Sequence, residues 1–173
     1  MKFVVPLLAS SLLVASASAQ TDARLAGDVA TCRTGEAGPA LVAHIEGFRN
    51  REGNVRIELY PPVDGEFLGN SRLLLEAGKD FRRVDVPVPQ SGPVILCIRA
   101  PHVGDYAVSV LHDRDRDGKF DKFSDGAGFG NNPRLGFSQP HAAAARLTVG
   151  PGVTETRIVL NYFHALSFSP LRR

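Results

Sequence analysis

The feature that most constrains this chain is a period-two alternation of apolar and polar residues. Val55, Ile57 and Leu59 alternate with Arg56, Glu58 and Tyr60; Val84, Val86 and Val88 with Asp85 and Pro87; Tyr106, Val108 and Val110 with Ala107, Ser109 and Leu111. Successive side chains of an extended strand point to opposite faces, so this rhythm describes half-buried strands rather than helices of 3.6-residue period. Further strands are expected at 41–46, 93–99, 144–149 and 154–162, with weaker ones at 25–31 and 71–75, which makes seven to nine. Turn clusters separate them, among them Arg51-Glu52-Gly53-Asn54, Ala77-Gly78-Lys79-Asp80 and Gly150-Pro151-Gly152. With 17 Gly and 12 Pro punctuating short strands, an all-β fold is expected, an antiparallel β-sandwich of two sheets.

Residues 1–19 place Lys2 before an apolar stretch, then Ala17-Ser18-Ala19 with small residues at the last and third-last positions. That order is the pattern of a secretory signal peptide, and it predicts an exported chain beginning at Gln20, periplasmic or secreted. The expected organisation is a leader at 1–19, one domain at 20–165 and a loosely tied tail at 166–173. No stretch reaches the ~20 apolar residues of a membrane helix. The two cysteines, Cys32 and Cys97, both lie in the exported part, where oxidising conditions favour a disulfide between them.

Outside the leader, 19 basic residues stand against 18 acidic ones. A nucleic-acid binder leans on clustered positive charge, so no nucleic-acid partner is expected. The five histidines show no metal-ligand spacing, and neither His-Glu-x-x-His nor a Gly-x-Ser-x-Gly elbow occurs. His112, beside Asp113 at a strand end, is the one suggestive histidine, and a hydrolase built on it with nearby carboxylates is an alternative to a non-catalytic protein.

The segment from Asp113 to about Ala143 breaks the rhythm of strands, and long irregular loops in compact domains are usually functional. It opens with Asp113-Arg114-Asp115-Arg116-Asp117-Gly118-Lys119-Phe120-Asp121. Carboxylates at positions 1, 3 and 5, a turn-forming Gly at 6, a carbonyl at 7 and an Asp at 9 match the start of a calcium loop. The ligands would be Asp113, Asp115, Asp117, the Lys119 carbonyl and Asp121. Ser124 stands where an EF-hand has its bidentate Glu, and the preceding segment is a strand, so any such site is a β-framed loop. The competing reading is a surface hairpin whose Asp side chains cap backbone N–H groups while Arg114, Arg116, Lys119 and Lys122 neutralise them.

The next segment, Gly126-Ala127-Gly128-Phe129-Gly130-Asn131-Asn132-Pro133-Arg134, reads as a constrained loop, because Gly admits positive φ and Asn-Asn-Pro favours a turn. His112, Phe129, Asn131, Asn132 and Arg134 are its candidate ligand-binding residues. The competing reading, and the more ordinary one for aromatics in such a loop, tucks them down to seal one end of the sandwich.

Several segments together resemble an exported bacterial family known as domain of unknown function 2141. They are Ile45-Glu46-Gly47-Phe48-Arg49-Asn50 leading to Gly53-Asn54-Val55-Arg56-Ile57, then Gly104 to Asp113, Asp117 to Asp121, and Gly128 to Arg134. The resemblance implies a sandwich of immunoglobulin-like or prealbumin-like type and an exported location, with no settled activity. Function on sandwiches concentrates in loops, so the expected role is non-catalytic binding of a cell-envelope glycan or protein through 112–137, with calcium as the candidate supporting ion. A structural envelope protein without a small ligand is the third expectation.

Overall fold

The computed structural model describes residues 38–164 and 166–171. The expected leader, the strand at 25–31 and Cys32 lie outside them. Ten strands are present among the described residues: β1 (Ala40–Glu46), β2 (Asn54–Tyr60), β3 (Arg82–Pro87), β4 (Val94–Arg99), β5 (Gly104–Asp113), β6 (Gly126–Phe129), β7 (Arg146–Val149), β8 (Val153–Val159), β9 (Asn161–His164) and β10 (Ser167–Pro170). They form a three-stranded sheet, β4-β1-β8, and a seven-stranded one, β10-β9-β6-β5-β2-β3, in which β7 also pairs β5. Every pairing is antiparallel except β1 with β8, which is parallel. The all-β expectation holds, with more strands than the seven to nine expected and a mixed smaller sheet.

The alternation explains the packing between the sheets. Leu41, Ala43 and Ile45 of β1, Leu96 and Ile98 of β4, and Ile158 of β8 meet Val55, Ile57 and Leu59 of β2 and Tyr106, Val108 and Val110 of β5 in one buried cluster. The register pairs Val55 with His112, Ile57 with Val110 and Leu59 with Val108, so the inward residues of β2 and β5 lie side by side. On the other face Arg56, Glu58 and Tyr60 are also buried. That face is covered by Phe67, Leu74, Phe81, Ala142 and Ala145 from the segments between strands, together with Phe129 of β6.

Three local expectations are corrected. Residues 71–75 form a short helix, α1 (Ser71–Glu76), because Asn70 Oδ1 accepts hydrogen bonds from the Arg72 and Leu73 N–H groups and Leu74 alone is buried. The run 154–162 is two strands: at Leu160, whose N–H donates to the Glu46 carbonyl, the chain leaves the smaller sheet for the larger one. The tail at 166–173 contains β10, paired with β9 from Ser167 opposite His164 to Pro170 opposite Asn161, with Phe168 against Phe163.

The Gly-rich run also differs from expectation. Gly126 and Gly128 lie in β6, not in a loop, and neither has positive φ. Glycine is required there by close approach: a Cβ on Gly126 would come within 2.5 Å of the Tyr162 ring, and one on Gly128 within 2.6 Å of Ile158 Cγ2. Overpacking a filled core costs about 1–3 kcal/mol. Gly126→Ala is therefore expected to lower unfolding free energy by about that amount in urea denaturation, whereas Gly136→Ala, which meets open space, should leave the midpoint nearly unchanged.

Candidate functional site

The acidic loop is positioned by the end of β5. Alternation turns His112 inward and Asp113 outward, and both are buried. The imidazole closes a chain of hydrogen bonds: the Arg49 N–H donates to Tyr162 Oη at 3.0 Å, the Tyr162 hydroxyl donates to His112 Nδ1 at 2.7 Å, and His112 Nε2–H donates to the Glu52 carbonyl at 2.8 Å. Phe48 packs edge-on to the imidazole. Burial pushes the His112 pKa below its ordinary value, so the neutral tautomer this chain needs is the favoured one. Burial likewise pushes the Tyr162 phenol up to about 12. Both ring nitrogens of His112 are engaged inside the core, and the chain ties the 47–53 turn to the strand end that carries Asp113.

Beyond it the backbone folds tightly around three carboxylates. Asp113, Asp115 and Asp117 each offer an oxygen within 4.8 Å of the others. Asp113 Oδ2 accepts the Gly118 N–H at 2.9 Å, while its Oδ1 is buried and has no hydrogen-bond partner. Burial raises the Asp113 pKa, as expected for a carboxylate removed from water. Asp115 Oδ1 accepts the Asp117 N–H and Asp117 Oδ1 accepts the Lys119 N–H, both Asx-turns. Asp121 stands apart from the triad, its Oδ1 turned to the Phe123 N–H.

Asp125 is the residue that the calcium-loop pattern missed. It is buried; its Oδ1 accepts the Arg114 N–H and its Oδ2 the Asp121 N–H, so it closes the base of the loop. A lone Asp after Ser124 carries no spacing signal that marks it in sequence. Two of the four basic residues expected to neutralise the acids are directed elsewhere. Arg114 reaches Asn50 Oδ1, the Ser124 carbonyl and Glu52, and Lys122 lies over the Phe123 and Phe163 rings. Among the described residues, Asp115, Asp117 and Asp121 make no ion pair within 4.0 Å.

The other candidate ligand residues are dispersed. Asn131 and Asn132 both adopt positive φ, as an Asn-Asn-Pro turn suggests. Asn131 Nδ2 donates to the Arg146 carbonyl, and Asn132 exchanges two hydrogen bonds with the backbone, at the Arg157 carbonyl and the Val159 N–H. Their amides are engaged in fastening the turn. Arg134 is exposed, and Phe129 is buried.

Phe129 is instead part of a pocket on the outer face of the larger sheet, with a volume of about 410 Å³. Phe120, Phe129, Leu135 and Phe168 supply apolar walls, and Glu58, Arg83 and Ser109 line it with polar groups. The polar residues follow from register: Arg56 faces Asp85 and Glu58 faces Arg83 across β2 and β3. Arg56 Nη2 lies 2.6 Å from Asp85 Oδ2, and its Nη1 donates to the Gly118 carbonyl at 3.0 Å. Glu58 Oε1 accepts from Arg83 Nε at 2.6 Å, and Oε2 accepts from the Tyr60 hydroxyl at 2.7 Å and Ser109 Oγ at 3.3 Å. This network was invisible in sequence because alternate polar positions ordinarily mark a solvated face.

The hydrogen-bond chain through His112 makes a stability prediction. Tyr162→Phe keeps the ring but leaves the Arg49 N–H and His112 Nδ1 without their partner, and an unsatisfied buried polar group costs about 1–3 kcal/mol. A corresponding fall in the urea midpoint is expected; an unchanged midpoint would show that the chain contributes nothing.

Cys97 lies on β4, and no free cysteine occurs among the described residues; its expected partner Cys32 lies outside them. No helix among the described residues is long and apolar enough to cross a membrane. Neither the curated proteins nor the solved structures contain a match to this sequence. The model of a family described as an uncharacterized protein conserved in bacteria, DUF2141, matches residues 43–157, a span that runs from within β1 into β8 and takes in the acidic loop and the outer pocket's aromatic wall at Phe120 and Phe129. With well over half of its length matched, the chain belongs to the DUF2141 family.

Proposed function

We propose that this chain is an exported, non-catalytic binding module on an immunoglobulin-like or prealbumin-like sandwich, and that it takes a cell-envelope glycan in the pocket on the outer face of the larger sheet. The observation that carries the reading is the pocket itself. Its volume of about 410 Å³ lies in the range of small-molecule sites. Apolar and aromatic walls with a few convergent polar groups are the usual composition of such sites. A sugar ring offers an apolar face for Phe120 and Phe168 and hydroxyls for Ser109, Glu58 and Arg83. The aromatic wall belongs in part to the 112–137 region, where binding was expected from sequence.

Two observations favour binding over hydrolysis. His112, the residue on which a hydrolase reading depends, is buried with both nitrogens engaged. Glu58 already receives hydrogen bonds from Arg83, Tyr60 and Ser109, which suits a fixed acceptor better than a proton carrier.

The test is calorimetric titration of the mature chain with soluble cell-wall glycan fragments. Saturable binding is expected, weakened by up to about tenfold in Phe120→Ala, since an aromatic contact is worth about 0.5–1.5 kcal/mol and 1.4 kcal/mol is one decade. Turnover of those fragments that disappears in His112→Ala would overturn the non-catalytic reading. Export and pairing have their own checks. Intact mass of the exported chain should begin at Gln20, and unreduced, denatured protein should titrate no thiol if Cys32 and Cys97 are joined.

A further inference from the structure

We infer that Asp113, Asp115 and Asp117 form a binding site for a hard divalent cation, calcium. Three carboxylate oxygens within 4.8 Å of one another repel unless something positive lies between them. Two of these acids are exposed, and exposed acidic clusters commonly stand alone; Asp113 is what distinguishes this one. It is 1% exposed, and its Oδ1 is the only buried side-chain polar atom among the described residues without a hydrogen-bond partner. Leaving a buried carboxylate oxygen unpaired is costly, and a bound cation removes that cost.

Among the described residues, no cation lies within 4.0 Å of Asp115 or Asp117, and one alone reaches Asp113. That cation is Arg56, whose Nη2 is 4.0 Å from the other Asp113 oxygen, Oδ2, and only 2.6 Å from Asp85. Arg114 is bound to Asn50, Ser124 and Glu52, away from the triad. The ligands are hard oxygens with no thiolate or imidazole among them, which selects calcium or magnesium over zinc or copper. Calcium accepts irregular shells of six to eight oxygens, so the Lys119 carbonyl at the seventh loop position and water complete the set. Asp121 does not belong to the triad, since the oxygens that come within 4.8 Å of one another are those of Asp113, Asp115 and Asp117. With three carboxylates and no bidentate closing Glu, the dissociation constant falls in the weak extracellular range, about 10⁻⁴ to 10⁻³ M.

The site stands independently of what occupies the outer pocket, although the two are joined. Gly118 donates its N–H to Asp113 Oδ2 and accepts Arg56 through its carbonyl, and Phe120 follows two residues later. A cation held at Asp113 thereby fixes the stretch of loop that carries one pocket wall.

The experiment uses the mature chain stripped with chelator and then given calcium alone. At 10 mM calcium the wild-type melting temperature is expected to rise by about 3–10 °C, as follows from a ligand at roughly ten to a hundred times its dissociation constant. Asp115→Ala and Asp117→Ala each remove an Asx-turn as well as a ligand, so each variant is compared with itself in chelator. That difference isolates the metal. The rise should shrink to that of an ionic-strength control in both variants, and calorimetric titration of the folded wild type should give one saturable calcium site per chain. A wild-type chain without saturable heat or melting shift overturns the site, as does an equal calcium-dependent rise in wild type and both variants.

Discussion

The ladder between β2 and β5 decides what every other part of this molecule can do. Its register sets Val55 beside His112 and Arg56 beside Leu111, so one face of each strand enters the core and the other builds the pocket. Side chains alternate with a period of two, and a one-residue slip between the strands would leave inward residues of one beside outward residues of the other. His112 would lose Tyr162, and Asp113 would be carried toward apolar neighbours. The core between the sheets, with Ile57, Leu59, Val108 and Val110 packed side by side, makes that slip prohibitive.

The outer face of the same ladder departs from an ordinary sandwich. Arg56 and Glu58 are buried charges, and buried charges are tolerated when paired and hydrogen-bonded. Each finds its counter-ion directly across the β2–β3 pair, at Asp85 and Arg83. The arrangement leaves a polar base beneath aromatic walls. Replacing these pairs with apolar residues of similar volume could preserve or even raise stability, because desolvating ions offsets much of their attraction. What would be lost is the pattern of donors and acceptors facing the pocket.

Much of the fold was legible in sequence because the strands obey one rule. The alternations at Val55, Val84 and Tyr106 each mark a real strand, and their inward faces form the core. The failures are local contests. At 71–75 an Asn cap outweighs a weak strand pattern, and at Leu160 a strand run changes sheets without any break in its composition. Gly126 and Gly128 point the other way from their usual meaning, since they are demanded by Tyr162 and Ile158, residues far along the chain. The site was legible only as far as spacing speaks. Asp113, Asp115 and Asp117 come together, while Asp125 and the Glu58 network depend on pairings between distant strands that spacing does not encode.

β5 divides the edge it turns away from β2 between two strands. β6 pairs residues 109–112 and β7 pairs 104–107, while the Gly130 N–H donates to the Val108 carbonyl between them. The segment from 131 to 145 therefore leaves the sheet and returns to it at adjacent points on one strand, and the bond from Asn131 to the Arg146 carbonyl fastens its two ends together. Lengthening a loop whose ends are already held costs little, about 0.6 kcal/mol for each doubling. Leu135, Ser138, Gln139 and Pro140, which form one side of the pocket, all belong to that segment. This side of the pocket can therefore change in length and composition while the sheet and its charged base stay as they are.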